Sequence, residues 1–85
     1  GSAIRRAGRE GFARSTCVAL GNRAAEDGVP SLTVALSDPS PLVRGHAAWA
    51  LGRIASADAA EALEGRAEVE TDAWVWAEIS SALGS

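Results

Sequence analysis

The chain has no methionine, lysine or tyrosine among its 85 residues, and one cysteine, Cys17. Without a methionine it carries no native start, so Gly1–Ser2 reads as a cloning scar and the chain as an excised piece of a longer protein. One thiol cannot close an internal disulfide, which fits a reducing compartment, and a cytoplasmic location is expected. No apolar run approaches the roughly 18 residues needed to cross a bilayer, and no signal peptide is visible, so no membrane role is expected. Proline is scarce, with three residues, all near expected helix starts or loops. No strand pattern competes with the helical periodicity described below.

The missing lysine makes every basic residue an arginine. Arg presents a planar fork suited to phosphate, although an Arg-for-Lys habit in a GC-rich genome gives the same composition. The placement is uneven. Residues 1–23 hold Arg5, Arg6, Arg9, Arg14 and Arg23 against Glu10, whereas residues 24–85 hold three arginines against ten acids. A cationic leading end therefore precedes an acidic body, and the acids Glu61, Glu64, Glu68 and Glu70 are expected to repel RNA from the far end. Apolar residues make up 47% of the chain, dominated by Ala, which favours close-packed helices over a sheet.

Ala-Leu-Gly occurs at Ala19–Gly21, Ala50–Gly52 and Ala82–Gly84, at spacings of 31 and 32 residues. A fixed period of that length marks stacked supersecondary units. Residues 1–10 read as a basic lead-in and 11–85 as the repeat domain. The first helix is expected over Gly11–Asn22, with Phe12, Thr16, Ala19 and Leu20 inward, closed in left-handed geometry at Gly21 or Asn22. A short helix over Val29–Leu36 follows, with Leu32, Ala35 and Leu36 inward. Ser40 caps a helix over Pro41–Ala55, in which Gly45, Ala48 and Gly52 form a narrow side that admits a neighbour. Ser56 or Asp58 caps a fourth helix, and Thr71 or Asp72 starts a fifth that runs through Trp74 to Leu83. The fold class is all-α, a short right-handed α-solenoid of about two and a half helical hairpins, whose last helix, bearing Trp74 and Trp76, either closes the stack or exposes a surface that another part of the parent chain covers.

Asp38–Pro39 followed by Val43–Arg44 and Ala-Leu-Gly resembles the short HEAT-like repeat of phycobilin-lyase type. Three stretches narrow the resemblance: the Arg-rich entry Ala3–Phe12, the helix end Val18–Asn22, and Leu42–Gly52 (Leu-Val-Arg-Gly-His-Ala-Ala-Trp-Ala-Leu-Gly). Together they resemble the C-terminal HEAT-like domain of the epoxyqueuosine reductase family, iron–sulfur proteins of tRNA queuosine biosynthesis, from about Arg5 to Leu83. The resemblance implies a parent oxidoreductase that reduces epoxyqueuosine to queuosine in tRNA. It also implies a cobalamin and two [4Fe–4S] clusters held upstream, and repeats that help hold the anticodon stem-loop. Two positions depart from the family pattern. Ser15 stands where Asn is usual, and Val75–Trp76 stands where Val-Arg is usual.

The chain itself is expected to be non-catalytic, monomeric and free of cofactors. Cys17 cannot supply the thiolates that clusters need and reads as a buried inert thiol. His46 has no second His or Cys for a zinc site. Ser15, His46 and Asp38 lack a strained nucleophile turn, and Gly8–Gly11 lacks the strand and Lys of a phosphate loop. Leu42, His46, Trp49 and Arg53 form one helical stripe, which offers phosphate or base contacts and a stacking platform. The alternative for Trp49 is packing on the adjacent repeat. For Arg44 it is pairing with Asp38 or Asp72. Asn22 and Arg23 are placed on a loop just past a helix end, where function concentrates. The expected RNA-facing residues are Arg5, Arg6, Arg9, Arg14, Asn22, Arg23, Arg44, His46 and Arg53, with tRNA as partner. Competing expectations are a protein-interaction scaffold without a nucleic-acid role and a fragment of a bilin-lyase-like protein.

Overall fold

The computed structural model describes residues 2–84, with side chains from Glu10 onward. Among the described residues five α-helices run in order: α1 (Ser2–Arg23), α2 (Val29–Ala35), α3 (Pro41–Ile54), α4 (Ala57–Ala67) and α5 (Ala73–Ala82). A single 3-10 turn at Glu26–Gly28 leads into α2. Among the described residues there is no strand. Helices α1, α3 and α5 lie side by side, while α2 and α4 pack behind them. Helix α3 touches all four others. The thinnest extent of the fold, 16 Å, is that of two helix layers at a spacing of about 8–10 Å.

Burial follows the expected helix faces from α2 onward. Leu32, Leu36, Ala47, Ala50, Leu51, Ala59, Leu63, Val75 and Ile79 form one core, which Cys17 joins from α1, and Val43 is buried as well. Burial, with the nearby charge of Asp38, raises the pKa of the Cys17 thiol. That fits a small packed apolar group.

Helix α1 departs from its expected face and ends. It begins at Ser2, so residues 2–10 of the expected lead-in form its first half and Gly11 marks no break. Phe12 is 77% exposed. The packed side runs through Cys17 and Gly21, the latter about 180° round the helix from Phe12. Left-handed closure falls at Ala24 (φ 52°) rather than at Gly21 or Asn22, and after α3 at Ala55 (φ 56°), three residues past Gly52 and at the expected end of that helix. Both glycines meet a neighbouring helix instead. A Cβ on Gly21 would lie 2.6 Å from Trp49 Cζ3 and 3.0 Å from Ala50 Cα, and one on Gly52 would lie 2.8 Å from Ala82 Cβ. Glycine is required there for contact, and the turn is left to alanine.

Three caps match the sequence pattern. Ser40, Ser56 and Asp72 are extended N-cap residues whose side chains accept from the amides of Val43, Ala59 and Val75. Two of these serines also tie adjacent units together. The Ser40 hydroxyl donates to Glu10 on α1, and the Ser56 hydroxyl donates to Glu26 at 3.0 Å. Ser56→Ala removes a cap and an inter-unit hydrogen bond together. The expected cost is about 1–2 kcal/mol, read as a lower urea midpoint with unchanged m-value. An unchanged midpoint would show the cap to be dispensable.

Candidate nucleic-acid interface

The layer of α1, α3 and α5 carries a cleft of about 410 Å³ lined by Val18 and Asn22, by Gly45, His46 and Trp49, and by Trp74 and Glu78. A second hollow of about 390 Å³ continues past Trp49 and Glu78 to Arg53, Ser81 and Ala82. Glycines make the aromatic floor possible. Trp74 lies across Gly45, where a Cβ would fall 2.2 Å from Cζ3, and Trp49 lies against Gly21. The guanidinium of Arg53 sits 6.0 Å from the Trp49 ring centre, within cation–π range. His46 and Trp74 meet as tilted rings with centroids 6.0 Å apart.

His46 Nδ1 lies 2.8 Å from the Leu42 carbonyl oxygen one turn earlier. A carbonyl only accepts, so Nδ1 carries the proton and, in the neutral ring, Nε2 is left as an acceptor. The imidazole is thus both held by its own helix and available on one side. Trp49 likewise packs on the adjacent unit while its ring lines the cleft, so packing and ligand contact are not exclusive here.

The structure brings together Asn22, His46 and Arg53 of the expected set. Arg14, exposed on α1, shares a stripe with Val18 and Asn22 at successive four-residue steps and extends the α1 wall of the cleft. Asn22 lies in the last turn of α1, not on a loop. Arg23 is exposed and pairs with Asp27 beyond the helix end. The side chains of Arg5, Arg6 and Arg9 lie outside those described; their backbones belong to α1.

Arg44 does not belong to the surface set. It is 8% exposed, and its guanidinium is fully engaged. Nε and Nη2 donate to the Glu70 carboxylate at 3.0 and 2.9 Å, while Nη1 donates to the carbonyls of Asp38 and Pro39 at 2.9 and 3.2 Å. The expected turn carboxylate is therefore Glu70, not Asp38 or Asp72. Glu70, grouped in sequence with solvated acids, has a side chain closed off from solvent. Burial works against its charge, but hydrogen bonds from Arg44, the Asp72 amide and Arg66, with the Arg44 charge, lower its pKa to about 2. Sequence reasoning also missed Glu78 as a wall of the cleft. Its signal was there, since it lies four residues after Trp74 on α5.

Cys17 is buried and the chain's one thiol, so its residues do not fit an iron–sulfur cluster. Among the described residues no group of three or more His, Cys, Asp or Glu is arranged to hold a metal ion. No described helix is long and apolar enough to cross a membrane.

The family of HEAT repeats matches residues 2–84. The chain is similar to epoxyqueuosine reductase of Listeria monocytogenes (35% identical over 75 residues), of Bacillus cereus (36% over 77) and of Bacillus subtilis (38% over 66). These alignments cover 87%, 89% and 76% of this chain but 20%, 20% and 17% of the relatives, so the chain spans about a fifth of their length. No solved structure matches. Stacked helical hairpins, in-phase Ala-Leu-Gly contacts and a match along nearly the whole described chain agree: it belongs to the HEAT-repeat family and resembles the HEAT-like region of epoxyqueuosine reductases.

Proposed function

We propose that this chain is a tRNA-binding accessory domain of an epoxyqueuosine reductase, acting in the cytoplasm beside a catalytic region that reduces epoxyqueuosine in tRNA. One observation carries the reading. Exposed Asn22 and half-buried His46 and Trp49 line one aromatic-floored cleft, exposed Arg53 lines the hollow that adjoins it past Trp49, and exposed Arg14 lies one turn before Val18 on the α1 side. Unpaired RNA is bound by that combination, with aromatic rings under bases and arginines at phosphates. The domain contributes grip and orientation. Cobalamin and iron–sulfur clusters would be held by other parts of the parent, and reduction would take place there.

The test is a filter-binding titration of the chain against tRNA at two salt concentrations. Binding is expected at low salt and should weaken steeply as salt rises. Arg14→Ala and Arg53→Ala should each weaken binding and reduce the slope of log K against log salt by about 1. Absent binding at low salt, or binding indifferent to salt, would defeat the reading. A scaffold without a nucleic-acid role predicts indifference to both substitutions.

A further inference from the structure

Glu78 poses a problem for a cleft that binds RNA. It is an acid on the cleft wall and makes no hydrogen bond or ion pair among the described residues. A lone carboxylate repels a phosphate strand unless a ligand pairs with it directly. From that conflict we propose that the cleft is a guanine site: it takes one unpaired guanine of an RNA strand, ring against Trp49 and Trp74, with the Watson–Crick edge donating to Glu78. The assignment rests on the RNA-binding reading and adds base selectivity to it.

The chemistry of the four bases selects guanine. A carboxylate offers two acceptor oxygens side by side and no donor. Guanine alone presents two adjacent donors, N1–H and the N2 amino group, which match that pair. Adenine and cytosine place a ring acceptor beside their amino group, so one carboxylate oxygen would face a lone pair. Uracil has a single N–H between two carbonyls. His46 reinforces the choice, because Nδ1 donates to the Leu42 carbonyl and Nε2 is left as a further acceptor in the neutral ring. The indoles supply the platform. Trp74 is 45% exposed, and both rings rest on glycines, Gly45 and Gly21, that bring them close to the neighbouring helix. The adjoining hollow leads from Glu78 to Arg53, which gives the strand's phosphate a cation one step from the base.

The probe is a short oligouridylate carrying one central guanosine, inosine, adenosine or cytidine, titrated into the chain at low salt and read by tryptophan fluorescence. Guanosine should bind about tenfold tighter than adenosine or cytidine. Inosine, which keeps N1–H and lacks the N2 amino group, should fall between them. Glu78→Gln should erase the guanosine preference, with melting confirming that the variant is folded. A Glu78→Gln chain that binds all four more tightly but keeps their order would reduce Glu78 to a repulsive charge and overturn the site. A preference for adenosine would assign the edge contact to the Asn22 amide and overturn it also. Salt-dependent binding of all four with equal affinity would sink the guanine site and leave the RNA reading standing. No binding of any of them, or of tRNA, would sink both.

Discussion

Glu70→Gln is expected to destabilise the fold by about 3–5 kcal/mol, as breaking a buried ion pair from one side does. For a domain of this size that is a large fraction of the stability available. The Glu70 carboxylate accepts from Arg44 at two atoms, from Arg66 Nε at 2.9 Å, and from the amides of Thr71 and Asp72 at 3.2 and 2.9 Å. Through these bonds it joins α3, the end of α4 and the loop that caps α5. Removing its charge leaves the Arg44 guanidinium in the interior without an anion: the carbonyls of Asp38 and Pro39 remain, and a glutamine offers one oxygen where the carboxylate offered two, with an amide N–H in place of the other. Acid should do what the substitution does. The folded-state pKa is about 2 against an ordinary 4.5, so the contribution of Glu70 is fully present above about pH 4.5 and is lost as pH falls toward 2. That difference corresponds to about 3 kcal/mol. Urea melts between pH 7 and 3 check both statements. The native chain should lose stability in the acid limb, and the variant should start low and lose much less. Equal acid profiles for the two chains would remove Glu70 from its assigned role.

Gly52→Leu is expected to cost about 3 kcal/mol, whereas Gly65→Ala should stabilise by about 0.5–1 kcal/mol. Both glycines are inside helices, and on propensity alone both substitutions would help. Their surroundings decide the sign. At Gly52 a Cβ meets Ala82 Cβ at 2.8 Å and Ala82 Cα at 2.9 Å, so relief requires α3 and α5 to move apart. At Gly65 nothing lies within 4 Å. Thermal melts of the two variants should shift in opposite directions, and a shift in the same direction for both would refute the contact's importance.

The repeat was legible because it is written twice over, in the Ala-Leu-Gly period and in the Ser40, Ser56 and Asp72 caps. Helix faces in α2 and α4 were legible because each buries one apolar stripe, and those of α3 because large apolar residues mark one side and Gly45, Ala48 and Gly52 the other. Helix α1 was less so. With α3 as its main contact, its packed face is built from Cys17 and Gly21. Small residues of that kind give little hydropathy signal, and Phe12 points the eye to the wrong side. Of the site, the α3 stripe of His46, Trp49 and Arg53 could be read from spacing. Arg44 could not be placed, because whether an arginine one turn into a helix is exposed depends on Glu70, which is 26 residues away. In the third unit Trp76, 32 residues after Arg44, is 51% exposed and has no comparable buried anchor.

Where glycine meets alanine across α1–α3 and α3–α5, the distance between units is set by main chain resting almost on main chain. Long side chains can change rotamer to absorb a shift, but a seam of this kind has no such slack. The gap between Trp49 and Trp74 should accordingly be preset, so a ligand of the proposed kind would enter a finished slot and would not spend binding free energy on shaping it. Recognition by such a rigid comb is governed by fit on arrival, and substitutions far from the slot, at the seam itself, should alter selectivity by changing the pitch of its teeth.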